Sequence, residues 1–147
     1  IWKLNQTRDK EAVYNSSDKG VKLVDFDGKG NYNSPKFVWD KPVAPTAIAF
    51  LDSNKLGKQY QNDILVGSVK NGIVYHFKLS NDRKSLLLSG DLSDLVFNKK
   101  DDPTQITFGK NFGIVTDLKV SPYDGYLYVV SAIKGDKGII YRIVPNF

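Results

Sequence analysis

From Pro35 onward, apolar and polar positions alternate in short runs separated by turn residues. Lys36-Phe37-Val38-Trp39 is bounded by Pro35 and Pro42, and Ala47 to Leu51 is closed by Asp52-Ser53-Asn54. Ile64 to Val69 and Gly72 to Leu79 flank Lys70-Asn71-Gly72. An Asn-Gly step between two such runs predicts a hairpin, because both residues tolerate positive φ. A weaker strand is predicted over Ser85 to Gly90. Asp91 to Lys110 is polar and turn-rich, and reads as a crossing loop with one helical turn near Leu92-Ser93-Asp94-Leu95. Val115 to Ser121, Tyr126 to Ser131 and Gly138 to Val144 are the last predicted strands, with Pro122-Tyr123-Asp124-Gly125 as a turn. No segment of ten residues keeps the 3.6-residue period of a helix.

The late strands replay the early ones some seventy residues on. Thr46, Tyr75 and the glycine that opens each second hairpin arm have counterparts in Thr116, Tyr141 and Gly138. Repeats of several short strands mark propeller blades, which cannot bury their faces alone. The chain therefore reads as all-β, a β-propeller fragment of about two four-stranded blades of a six-bladed propeller. The blades fall near residues 35–96 and 112–147, with a crossing loop at 97–111. Residues 1–34 form a polar lead with at most one or two short strands, Val21 to Phe26 being the clearest. Unpaired edges on such a fragment invite association, and three copies could close a homo-oligomeric ring.

Composition narrows the chemistry. The chain lacks cysteine, which removes disulfides, thiolate nucleophiles and cysteine metal sites. It also lacks methionine, even at position 1, which points to a processed product or a piece of a longer chain. No apolar run reaches a membrane span. The net charge of +5 is spread over scattered lysines, and the densest pair, Lys99-Lys100, precedes Asp101-Asp102. Nucleic-acid binding would call for a basic stripe with interleaved aromatics, which is absent.

Three segments in order carry a family resemblance. Val43-Ala44-Pro45-Thr46-Ala47-Ile48-Ala49-Phe50 is similar to a V-A-P-[ST]-x-x-A-[FY] segment. Ile64 to Lys70 is similar to a strand that ends in lysine, and Thr116 to Val129 to an R-D-x-x-x-x-P-D-G-x-L-Y-V segment. Over residues 35–145 the chain resembles the C-terminal third of the glucose/sorbosone dehydrogenases. The resemblance implies a six-bladed propeller that oxidises an aldose sugar by hydride transfer to pyrroloquinoline quinone (PQQ), with calcium and a histidine base. It also implies a periplasmic or extracellular location. In the family a lysine and arginines meet the quinone carboxylates, as charge-assisted pairing would favour. Lys70 matches that lysine, and the loop Asn111-Phe112-Gly113-Ile114 would face the cofactor. Where the family has its R-x-R-D element this chain reads Ile114-Val115-Thr116-Asp117. Thr116 can donate a hydrogen bond but carries no charge, and Pro42 replaces a threonine. The resemblance places the histidine base and the calcium ligands in upstream blades.

Alternatives stand beside these assignments. Lys70 is either the quinone contact or a solvent-facing turn residue. A propeller that has lost its cofactor and serves as a binding or interaction module accounts for the missing arginines. His76 is expected to face outward, as Arg142 does at the equivalent strand position. Asp91, Asp94, Asn98, Asp101 and Asp102 read as a solvated loop, and Asp117 and Asp124 as turn-forming carboxylates. Tyr75, Phe77, Tyr126, Tyr128 and Tyr141 read as blade packing.

Overall fold

The computed structural model describes residues 35–133 and 137–146, so the expectations for the polar lead lie outside the described residues. Nine strands are described: β1 (Val38–Trp39), β2 (Pro45–Phe50), β3 (Ile64–Ser68), β4 (Val74–Phe77), β5 (Val96–Phe97), β6 (Thr107–Gly109), β7 (Ile114–Val120), β8 (Leu127–Ile133) and β9 (Lys137–Ile143). One sheet has the order β2-β3-β4-β6, a second β7-β8-β9, and β1 pairs with β5 in a small parallel patch. All neighbours in the two larger sheets are antiparallel. Pro45 opens β2, where its missing N–H costs the ladder least.

The two sheets lie face to face and touch most closely along their first strands, β2 and β7. The core between them holds Leu51, Leu65, Val74, Val115, Leu118, Leu127 and Val129. These side chains come from alternate positions. In β8, Leu127, Val129 and Ser131 are buried while Tyr128, Val130 and Ala132 are partly exposed. Gly67 sits in mid-strand for a steric reason: a Cβ there would lie 2.5 Å from Val115 Cγ1. A second cluster covers the opposite face of the first sheet. It gathers Val43, Tyr75, Phe77, Leu92 and Ile106 with Phe37, Trp39 and Phe97 from the parallel patch. The rings meet edge-on or tilted, as the aromatic quadrupole favours: Phe37 lies 5.0 Å from Trp39, and Trp39 5.4 Å from Tyr75.

Two differences from the sequence reading concern the first sheet. Ser85 to Gly90 is no ladder strand; only a single bridge joins Leu79 to Leu86. Leu86 and Leu88 pack under the second cluster while Leu87 stays 56% exposed, so the apolar run reflects contact with the core, not sheet pairing. The fourth strand is instead β6, within the segment expected as a crossing loop. The helical turn expected near Leu92 is present as a 3-10 turn over Gly90–Asp94. The second sheet shows three strands among the described residues.

Candidate functional site

Antiparallel pairing gathers one set of loops at one end of both sheets. There the chain enters β2 and β7, turns between β3 and β4, and ends β8 and begins β9. Lys70 and Thr116, the two expected cofactor contacts, are both exposed at this end. The hairpin turn 69–73 is held on both sides. Val69 N donates to Ala44 O at 3.1 Å and Lys70 N to Val43 O at 3.2 Å. Phe112 N donates to Gly72 O at 3.0 Å, which ties the turn to the second sheet. Gly72 has φ of 61°, and a Cβ there would lie 2.7 Å from Gly113 O. Glycine is needed twice over, for the left-handed backbone and for the close approach.

A second tie crosses between the sheets nearby. Thr46 Oγ1 donates to Val115 O at 2.6 Å. This contact is absent from any strand pattern, because it joins equivalent ends of two blades. Thr116 occupies the matching place in the second sheet, and its hydroxyl donates at 3.2 Å to Val130 O within its own sheet. Its proton is therefore already engaged. Ile114, partly buried, adds no polar group. Lys70 has no ion-pair partner among the described residues.

Beneath the turn runs a chain of side-chain bonds. Ser68 Oγ bonds Val43 O at 2.7 Å and also Asn71 Oδ1, and Asn71 Nδ2 donates to Tyr75 OH at 2.7 Å. Burial pushes the Tyr75 phenol above its ordinary pKa, with the Asn71 and Trp39 contacts acting the other way. The Trp39 indole nitrogen is near enough to act on that hydroxyl, yet it makes no well-formed hydrogen bond and is itself buried.

His76 does not face solvent as expected. The loop between β2 and β3 folds back over it, and its Nδ1 lies 3.2 Å from Oδ2 of Asp63, whose side chain is 4% exposed. Tyr60 and Phe108 present ring edges to the imidazole, and Lys78 Nζ reaches the same carboxylate at 3.6 Å. This cluster fastens a loop to β4 near the end opposite Lys70. It borders a polar cavity of about 290 Å³ lined by Asn62, Asp63, Lys78 and Arg83, among others.

The acidic residues of the crossing segment serve their own backbone. Asp94 accepts from Val96 N, Asp101 from Asn98, and Asp102 from Thr104. Among the described residues, no three His, Asp or Glu side chains gather as a metal site. Asp117 accepts from Leu118 N at 2.8 Å. Asp124 organises the turn before β8: it accepts from Tyr126 N at 3.1 Å and Tyr128 OH at 2.9 Å, with Arg142 at 3.4 Å. These bonds, the Tyr126 N–H foremost, hold its carboxyl below the usual range. The Asp124 contribution to stability is present above the unfolded pKa of about 3.9 and is lost as pH falls through the lower folded value. A carbon-detected NMR titration should place the Asp124 midpoint below those of unbonded aspartates. Tyr128→Phe should move it upward, and an unmoved midpoint would contradict the assignment.

Radial antiparallel sheets, stacked on their first strands and repeating one motif order, define an all-β propeller fragment. The family model of the glucose/sorbosone dehydrogenases matches residues 10–142. The chain belongs to the glucose/sorbosone dehydrogenase family. The solved structure of a glucose dehydrogenase matches it at a TM-score of 0.56 and 14% identity, over 78% of this chain and 29% of that one. A Thermus thermophilus protein described as an oxidoreductase (glucose dehydrogenase) matches at 0.50 and 18% identity, over 76% and 28%. This chain thus spans less than a third of the length of either protein, and at such identities the likeness concerns the fold. No curated protein is similar enough to match it.

Proposed function

We propose that this chain supplies two adjacent blades of a quinone-dependent sugar dehydrogenase, and that Lys70 contributes a cation to the mouth where the quinone is held. The single observation behind this reading is the convergence of the Lys70 turn and the start of β7 at one end, joined by Phe112 N to Gly72 O. Family membership supplies the substrate class, an aldose sugar. PQQ, when bound, supplies the hydride acceptor. Its carboxylates call for cations, and the residues present fit in part. Lys70 is exposed and offers a full charge, while Ile114 and Thr116 offer none. Lys70 would pair with one carboxylate, and Thr116 would donate a hydrogen bond beside it only by giving up its bond to Val130 O. His76 is committed to Asp63 and is not assigned as the base. A periplasmic or extracellular site for the intact protein, with calcium held by other blades, belongs to the same proposal.

The test is a spectral titration of the full-length protein with PQQ and calcium, followed by dye reduction over a panel of aldoses; this two-blade chain alone is expected to be inactive. The expected result is a saturable change near one equivalent and turnover with at least one sugar. A flat titration with no turnover would overturn the reading. It would leave the second one, a non-catalytic propeller that binds a sugar or protein, favoured by the uncharged Ile114 and Thr116.

A further inference from the structure

We propose that Asn71 and Tyr75 are positioning residues for Lys70, acting through the side-chain bonds that tie its turn to the buried Ser68 and Tyr75. The inference rests on the reading of Lys70 as an anion contact and adds the residues that set its presentation. Neither residue need touch the ligand.

Of the Asn-Gly step only Gly72 takes positive φ, so the turn does not form on the two-residue backbone preference the sequence suggests, and Asn71 serves it through its side chain. A phenylalanine at position 75 would fill the same apolar space. Instead Tyr75, only 2% exposed, carries a hydroxyl that accepts from the amide of Asn71, a residue exposed on the turn. Ser68, fully buried, lies within bonding distance of both the Asn71 amide oxygen and the Val43 carbonyl, which share its one hydroxyl proton. Val43 O also accepts the Lys70 N–H. Ser68 and Asn71, on either side of Lys70, and the Lys70 N–H thus meet one connected group of atoms, buried at Ser68 and Tyr75. Side-chain bonds linked in this way restrain their surroundings and favour one arrangement. A lysine on a loose turn would lose freedom on meeting its ligand; one whose backbone is already fixed loses less. Gly72 against Gly113 fixes the same turn relative to β7, so the network presents Lys70 in a set register to the second blade.

The experiment uses the full-length protein with PQQ as the probe, in a double-mutant cycle of Tyr75→Phe and Lys70→Ala. Tyr75→Phe keeps the ring and removes only the hydroxyl. It is expected to raise the Kd for PQQ by about 3- to 10-fold, the equivalent of one hydrogen bond. Lys70→Ala is expected to raise it by at least about 10-fold. In the Lys70→Ala background, Tyr75→Phe should change nothing further, which a general loss of stability would not reproduce. Hydrogen exchange supplies a readout independent of the quinone: the Lys70 amide should exchange faster in Tyr75→Phe while the Leu118 amide does not. Asn71→Ala, measured in parallel, should repeat both effects and guards against a folding defect in one variant. Additive effects of Tyr75→Phe and Lys70→Ala would overturn the positioning role alone. No PQQ binding by the unmodified protein would overturn the role of Lys70 and this inference together. An unchanged Lys70 amide in both variants would show that the network does not hold the turn.

Discussion

Leu118→Ala is expected to lower the free energy of unfolding by about 2–5 kcal/mol. Leu118 is 2% exposed on β7 and packs in the cluster that also takes Leu51, Leu65 and Val74 from the first sheet. Truncation removes three carbons from a shared core, and neither sheet can relax into the gap without parting from the other. Stability of a domain this size is on the order of 5–15 kcal/mol, so the loss is a large share of it. Urea denaturation followed by circular dichroism reads the effect as a lower midpoint at an unchanged slope. Lys119→Ala, one residue away and exposed, should stay within about 0.5 kcal/mol. A Leu118→Ala loss as small as that of the control would mean that the sheets do not share a core.

Gly72→Ala is expected to cost about 3 kcal/mol, and Gly90→Ala only about 1 kcal/mol. Both glycines have left-handed backbone, with φ of 61° and 59°. They differ in their surroundings. A Cβ at Gly90 meets nothing within 4 Å, whereas one at Gly72 meets the backbone O and N of Gly113 at 2.7 and 2.9 Å. Backbone cannot swing aside like a side chain, so the turn must lift from the loop that enters β7. The difference between the two melting temperatures isolates the contact between blades. Equal losses would show that only the backbone conformation matters at position 72.

Much of the fold is legible where pairing is local. The β3–β4 hairpin follows from Lys70-Asn71-Gly72 between two alternating runs. The β7–β8 pair follows from Pro122 to Gly125, where Ser121 Oγ accepts the Tyr123 and Asp124 N–H groups at 3.3 Å. Pairing over long range is less legible. The parallel match of Val38 with Val96 joins two-residue strands far apart in sequence, and neither carries a periodic signal. The three residues of β6 are too few to show alternation. At the candidate site, Lys70 and the loss of charge at Ile114 and Thr116 are visible in the sequence. The Thr46 bond to Val115, the Gly72 approach to Gly113 and the commitment of His76 to Asp63 are not. Each depends on how one sheet, or one returning loop, lies against another. Asp63 precedes β3 and looks like a turn residue until the loop brings it to His76. Tyr75 reads as an ordinary packing aromatic, and nothing in its neighbours announces the hydroxyl contact with Asn71.

The aromatic wedge under the parallel patch gives the protein an optical reporter of its own. The chain has two tryptophans, Trp2 and Trp39, and the second has its indole nitrogen buried beside Phe37, Tyr75 and Phe77. Its emission colour is therefore set by the outermost layer of the first blade, at a distance from the core around Leu118. Fluorescence can follow the peeling of that layer as an event separate from the melting of the sheets beneath it.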